Sequence, residues 1–372
     1  MFEEVKSAID QENYDEAKDI LTQLLAQGKN DLWIRYYQTL ILEKQGNLTE
    51  SEASYRQIVK DSIYPDAQLL KLIRDGIERI VTINREKQQI QQQIQLKKLQ
   101  EFQNIENSED LAVLVLKPVN LEQKKVLAPK FAQVMNLDNY TATLQIPTRS
   151  LRLYKTGNFG TLNYYQTELS QAEIPCFCQR IKNINQMTVY QVEYIISDDG
   201  EVNILCKNDQ EKEIIITFQW TEINHKIHAL IPIFEETLHI DAKGKPQKKK
   251  STLDYSKFYD LHLVSQNLIL RFSDQFYKFD RAAPFHDRGL EISKQGKTVQ
   301  EKWEYLTNFL NEKIPDKPLW SDFTLFAEGA IQFPEMLKQI TPHINLFRRE
   351  ETLWDETFQL YSGLIFFLIN PS

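Results

Sequence analysis

Apolar residues at Leu69, Leu70, Ile73, Ile77 and Ile80 recur three and four positions apart, the period of one helical face. The spacing predicts a helix from Asp66 to about Ile83. Between Arg85 and Gln100, seven of sixteen residues are glutamine, and Ile90, Ile94, Leu96 and Leu99 are the few apolar positions. That stretch reads as an extension of the same helix, exposed on most sides. A coiled-coil homodimer through it would need apolar residues at Lys87 and Lys97, where the heptad breaks. Dimerisation is therefore carried as an alternative to a solitary exposed helix. Asn104 to Asp110 (NIENSED) reads as a linker.

From Leu111 the pattern changes to β-branched and aromatic runs bounded by Pro, Gly and Asn-Asp clusters, the punctuation of strands. A short helix is expected at Leu127 to Asp138, with Pro129 near its start and Phe131, Val134 and Met135 on one face. A strand at Leu151 to Tyr154, a helix at Thr161 to Leu169 and a strand at Pro175 to Arg180 then predict a small β-α-β unit. Further strands are expected at Thr188 to Ile196, Val202 to Cys206, Glu213 to Trp220, Ile227 to His239 and Phe258 to Val264, followed by a hairpin from Leu268 to Phe279. Thr298-x-x-Glu301 is a capping-box pattern, and Val299, Trp303, Leu306 and Leu310 mark the buried face of the helix it opens. Helices at Trp320 to Ala330, Glu335 to Ile340 and Glu350 to Tyr361 complete the chain, separated by Pro334 and Pro342. Arg348-Arg349-Glu350-Glu351 reads as a surface charge cluster.

An internal repeat appears when Glu12-Asn13-Tyr14-Asp15-Glu16-Ala17 is laid over Gly46-Asn47-Leu48-Thr49-Glu50-Ser51. At this offset of 34, Tyr14 pairs with Leu48, Ala17 with Ser51, Leu21 with Tyr55 and Leu24 with Ile58, each pair keeping its class. Stacked helical hairpins repeat such a pattern because each leaves an apolar face open and needs small residues where its helices approach. Residues 2 to 61 resemble the tetratricopeptide repeat (TPR) family, whose turn glycine Gly46 matches. Glu12 stands at that position in the first copy, and both copies lack the family's early Trp and Leu-Gly pair. The resemblance implies a groove lined by the first helix of each repeat, and carries Trp33, Tyr36 and Leu40 onto it as partner-binding residues. Aromatic anchors of this kind dominate interface energetics. The bland alternative is that they pack against the first repeat.

Two further resemblances are at the level of pattern. The strand order of residues 187 to 311, with the following helix, resembles bacterial pleckstrin-homology-like domains and implies a helix-capped barrel or sandwich used for lipid, peptide or protein contact. Leu319-Trp-Ser-Asp-Phe and Phe347-Arg-Arg-Glu-Glu-Thr resemble TPR-headed proteins of cyanobacteria, a family with no assigned activity.

The chain's 372 residues exceed one ordinary core, and 42% hydrophobic with 26% charged residues predicts folded domains rather than disorder. A formal net charge of −8 argues against a nucleic-acid partner. Three cysteines cannot build a disulfide framework, and the acidic start lacks a signal-peptide pattern, so a cytoplasmic location is expected. The longest apolar run, Leu364 to Ile369, is too short to span a membrane and reads as a buried strand or helix end.

Candidate chemistry is sparse. Lys243, Lys245, Lys248, Lys249 and Lys250 fall within eight residues between two predicted strands, and each lysine near an anionic membrane contributes roughly 1 kcal/mol. The alternative is a solvated hairpin loop. Cys176 and Cys178 share a strand face without a second pair for zinc, and with Cys206 read as structural thiols. His225 and His228 lack the glutamate of a zincin helix. His286-Asp287, near Asp280 and Arg288, is the one pair placed for acid–base work, without a serine elbow. Gly157-Asn158-Phe159-Gly160, between strand and helix, lacks the lysine of a P-loop and reads as a plain turn.

The expected protein is thus α+β and multidomain. Residues 1–83 form TPR-like repeats, 84–110 the glutamine-rich helix and linker, 111–186 a β-α-β unit, 187–311 a β-rich domain and 312–372 a helical region. The expected function is an adaptor or scaffold that binds a protein or peptide, with no enzymatic activity, cofactor, metal or transmembrane segment. The alternatives are a peripheral membrane protein using the lysine run and an enzyme centred on His286.

Overall fold

The computed structural model describes residues 2–26, 32–61, 66–208, 210–240, 246–283, 298–344, 346, 350 and 352–368, with backbone alone at 236–240 and 246–250. The architecture is mixed α and β: an N-terminal helical region, a β-rich middle and C-terminal helices. The chain divides into two compact units, 1–98 and 99–372.

The first unit contains two helical hairpins, α1 (Phe2–Asp10) with α2 (Tyr14–Ala26) and α3 (Leu32–Lys44) with α4 (Leu48–Asp61), and most of the long helix α5 (Ala67–Gln103). Its core joins Val5, Ala17, Leu21, Leu24, Ile34, Ile41, Tyr55, Ile58, Leu69, Ile73 and Ile80. The turns inside the two hairpins repeat in their hydrogen bonds. In the first, Asn13 N–H reaches Ala8 C=O at 2.8 Å and Glu12 N–H reaches Ile9 C=O at 3.0 Å; in the second, Asn47 reaches Leu42 and Gly46 reaches Glu43, both at 3.0 Å. Both turns are Schellman caps, which require one residue with positive φ.

Helix α5 packs on Tyr55 through Gly76. A Cβ at position 76 would lie 2.8 Å from the Tyr55 ring. The close approach lets the buried Tyr55 hydroxyl donate to Glu43 Oε2 at 2.8 Å, while Arg79 on α5 donates to both Glu43 oxygens at 2.9 and 3.1 Å. A glycine that is unfavourable in a helix on propensity alone is thus required here by packing.

The second unit begins with a three-stranded sheet of order β2-β1-β3, built from β1 (Leu111–Leu116), β2 (Arg152–Asn158) and β3 (Cys176–Arg180). Helices α6 (Leu121–Met135) and α7 (Asn139–Gln145) connect β1 to β2, α8 (Phe159–Gln171) connects β2 to β3, and α9 (Ile181–Asn185) follows. The expected β-α-β unit is present as β2-α8-β3, but split: β2 and β3 each pair antiparallel with β1, so they run parallel to one another with β1 between them. As the central strand, β1 is buried on both faces, which explains its unbroken apolar run. The short helix expected from Leu127 starts earlier, at Leu121. Asn120 caps it by accepting from Gln123 N–H at 2.8 Å, so Pro129 lies inside the helix rather than near its start.

A seven-stranded sheet follows, made from β4 (Thr188–Ser197), β5 (Val202–Lys207), β6 (Glu213–Phe218), β7 (His225–Ile240), β8 (Pro246–Leu263), β9 (Leu268–Ser273) and, after helix α10 (Val299–Lys313), β10 (Leu319–Trp320). Its order is β10-β7-β8-β9-β4-β5-β6, with β4/β9 and β10/β7 parallel and the other pairs antiparallel. The expected hairpin from Leu268 to Phe279 is corrected to one strand and a short turn, Phe279–Arg281, because β9 takes β4 as its second partner. The expected helix from Trp320 likewise begins at Phe323, Trp320 itself being the last residue of strand β10.

One face of the large sheet packs on Trp303, Leu306, Phe309 and Leu310 of α10. The other face, through Ile227, Ala229, Ile231 and Phe258, shares a core with the three-stranded sheet and with α11 (Phe323–Ala330), α12 (Pro334–Leu337) and α13 (Trp354–Phe366). The apolar run from Leu364 forms the end of α13, whose residues from Thr357 to Phe366 are all buried.

Candidate functional site

Helices α1, α3 and α5 enclose a groove of about 370 Å³ in the first unit. Trp33, Tyr36, Tyr37 and Leu40 line it from α3, Phe2, Lys6 and Ile9 from α1, and Leu72 from α5. The three residues expected from the repeat, Trp33, Tyr36 and Leu40, are therefore brought together on one surface. Their roles differ: Tyr36 is buried and forms the floor, whereas Trp33 and Leu40 are half-buried.

Helical spacing accounts for the alignment, since Trp33, Tyr36 or Tyr37, and Leu40 stand three and four residues apart. The aromatic rings make a contiguous set. Phe2 stacks on Tyr37 at 5.5 Å, Trp33 meets Tyr36 edge-on at 6.1 Å, and Tyr36 meets Tyr37 at 5.2 Å. Burial pushes the Tyr36 hydroxyl up to about 12, and burial, then Glu3 and Asp10, raise that of Tyr37. Both hydroxyls therefore stay protonated at neutral pH. Phe2, Tyr37 and Leu72 escaped the reading of the sequence; adjacency to Tyr36 was the signal for Tyr37.

A second cluster is buried between the large sheet and α13. Asp260 accepts from Arg271 Nε at 3.0 Å and Nη2 at 2.8 Å, and from Ser362 Oγ at 2.7 Å. His262 Nε2 lies 3.0 Å from the same Ser362 oxygen. Arg271 also donates to Pro342 C=O at 2.8 Å and stacks over Phe358 at 4.6 Å. Serine, histidine and aspartate meet, but the aspartate holds the serine rather than the histidine, and all three are 0% exposed. With Ser362 Oγ–H given to Asp260, its oxygen accepts from His262 Nε2–H and no substrate carbonyl can approach it. The arrangement fixes β8, β9 and α13 against one another.

The remaining candidates are placed as follows. His225 and His228 lie on β7, and His225 pairs across the ladder with His262. Burial raises the thiols of Cys176 to about 11 and Cys178 to about 12, and raises that of Cys206 further. All three are protonated at neutral pH, which is unsuited to nucleophilic or ligating work. Among the described residues, no group of three or more His, Cys, Asp or Glu is placed to hold a metal ion. The expected turn at Gly157–Gly160 is corrected to a direct junction in which Gly157 and Asn158 end β2 and Phe159 and Gly160 begin α8; Phe159 and Gly160 N–H donate to Asp110 and Ser108 C=O, and a Cβ on Gly160 would lie 2.5 Å from Phe102 C=O. Those donors serve the chain itself.

Lys243, Lys245, His286, Asp287, Arg288, Arg348, Arg349 and Glu351 lie outside the described residues. Lys248, Lys249 and Lys250 are corrected from loop to strand: their backbone belongs to β8, opposite Leu238, Thr237 and Glu236 of β7. The long β7–β8 ladder carries its register past the point where β9 ends, and so absorbs part of the expected loop.

No helix among the described residues is long and apolar enough to cross a membrane. Compared with known proteins, the chain matches no family model, no curated protein and no solved structure.

Proposed function

We propose that the first unit is a docking module for a segment of another protein, and that the chain acts as an adaptor. The observation that carries this reading is the shared groove of Trp33, Tyr36 and Leu40, with an aromatic floor and half-buried apolar walls. The tetratricopeptide reading draws support from the recurrence, at the repeat offset, of the turn hydrogen bonds and of the buried positions Ala17 and Ser51, Leu21 and Tyr55, and Leu24 and Ile58. The pleckstrin-homology-like reading of residues 187 to 311 draws its support from α10 lying across one face of the sheet.

Affinity capture from source-cell lysate tests the groove, using the full chain and a Trp33→Ala/Leu40→Ala variant. Both side chains are half-buried, so their truncation is milder for the fold than that of Tyr36. Loss of captured partners by tenfold or more, with unchanged thermal unfolding, is expected if these residues act as anchors. An unchanged partner list would move the function out of the groove.

A further inference from the structure

Four large apolar side chains of the second unit, all more than half exposed, lie on the neighbouring helices α6 and α7. Leu121 is 68% exposed, Val126 63%, Tyr140 74% and Leu144 56%. The two helices pack on one core through Leu127, Ala128, Phe131, Ala132 and Ala142. Val126, Tyr140 and Leu144 stand on the opposite, outer side, with Tyr140 and Leu144 one turn apart. Leu121 projects from the first turn of α6, at the end where Val119 N–H donates to Pro147 C=O at 3.1 Å and ties the start of α6 to the end of α7.

Charge around these side chains runs against that of the chain. Residues 117 to 152 carry six basic residues and two acidic ones, Glu122 and Asp138, in a protein of formal net charge −8. Lys125, Arg149 and Arg152 are exposed. Arg152 donates to Leu144 C=O at 3.1 Å, which sets its guanidinium beside the patch. Arg149 and Arg152 also line an open cleft of about 370 Å³ with Leu325 and Glu328.

From this juxtaposition we infer that the α6–α7 face docks on an anionic lipid bilayer. Apolar side chains that protrude from two helices, rather than lining a groove, need no shape-complementary partner, and an interfacial layer accepts them. Tyrosine favours that depth, and the flanking cations meet the lipid phosphates and carboxylates. The reading rests on other residues than the lysine run of residues 243–250.

Sedimentation of the full chain with vesicles of phosphatidylcholine containing phosphatidylserine as the minor component tests it, with pure phosphatidylcholine vesicles for comparison. Binding to the anionic vesicles alone, weakened by salt, is expected. Tyr140→Ser/Leu144→Ser and Lys125→Glu/Arg149→Glu should each lower the partition at least about tenfold. Leu253→Ser, which removes an exposed apolar side chain on β8, should leave it unchanged. All four altered positions in the two double variants are exposed, and circular dichroism checks that each variant is folded. Absence of binding to anionic vesicles would overturn the inference and leave the patch to a protein partner. Binding that survives both double variants would overturn it too, by placing the lipid contact elsewhere.

Discussion

Glu12 and Gly46, equivalent positions of the two hairpins, share the same left-handed conformation at the ends of α1 and α3, with φ of 60° and 85°. Glycine adopts this conformation freely, whereas a side chain with a Cβ is held there at a cost of about 1 kcal/mol or more. The first copy therefore stores a strain that the second avoids.

Glu12→Gly is expected to stabilise the first unit by a few tenths to about 1 kcal/mol, the gain being reduced by the added freedom of the unfolded chain. Gly46→Ala, although a Cβ there meets nothing within 4 Å, is expected to destabilise it by about 1 kcal/mol. Urea unfolding of both variants checks the pair, and equal effects of the same sign would refute the shared geometry.

Gly76→Ala tests whether packing or propensity decides at the α5 crossing. Propensity predicts a gain of about 1 kcal/mol. The 2.8 Å approach to the fully buried Tyr55 ring predicts overpacking, which typically costs about 1–3 kcal/mol. A lower unfolding midpoint is expected; a raised one would mean that α5 can move away from Tyr55 without loss.

These features separate what was legible in the sequence from what was not. The helical repeat was readable because its turns close through short-range hydrogen bonds and its buried positions recur at a fixed offset. Strand β1 was not read from the sequence, although the unbroken apolar run from Leu111 to Leu116 is the pattern of a strand buried on both faces. The Asp260 cluster was not readable, since its partners lie 11 and 102 residues away and meet only through the β8–β9 register and the docking of α13. Nor was the parallel β4–β9 pair, which no local pattern specifies. At the groove, the repeat located α3 but not Phe2 or Leu72, whose places depend on how α1 and α5 flank it. The exposed face of α6 and α7 was hidden because periodicity shows that a face is apolar, not whether another element covers it.

Breaking the Asp260–Arg271 pair is expected to cost much more than replacing it. Asp260→Leu leaves Arg271, 1% exposed, as an uncompensated buried charge and should destabilise the protein by about 3–5 kcal/mol. Asp260→Leu with Arg271→Met removes both charges and should recover most of that loss. Denaturant unfolding of the singles and the double measures the coupling; simple additivity would contradict the pairing.

His225 and His262 make stability depend on pH in a defined direction. Burial, with Lys317 adding to it, pushes His225 down to about 4. Burial, then His225 and Arg271, holds His262 well below the ordinary histidine range. The groups around them are Trp320 on β10, Phe366 and Ser362 on α13, and Asp260 on β8. Both imidazoles are neutral when folded, while unfolded imidazoles bind protons near pH 6.5. The unfolded state therefore gains protons first, and stability present at pH 7 is lost as the pH falls through 6.5 toward 4. Each imidazole contributes up to about 1.4 kcal/mol per pH unit, so roughly 3–4 kcal/mol is expected to disappear between pH 7 and pH 5. Asp274, whose carboxyl is raised by burial, works in the opposite sense and softens the slope. His225→Phe keeps a ring in the buried site without a titrating group, and should remove His225's own share, about 2 kcal/mol, of a dependence to which His228, lowered by burial and then by Lys257, also contributes in the same sense. Urea titrations of both proteins between pH 7 and pH 5 check this, and the same slope in each would show that protonation of His225 does not limit stability in acid.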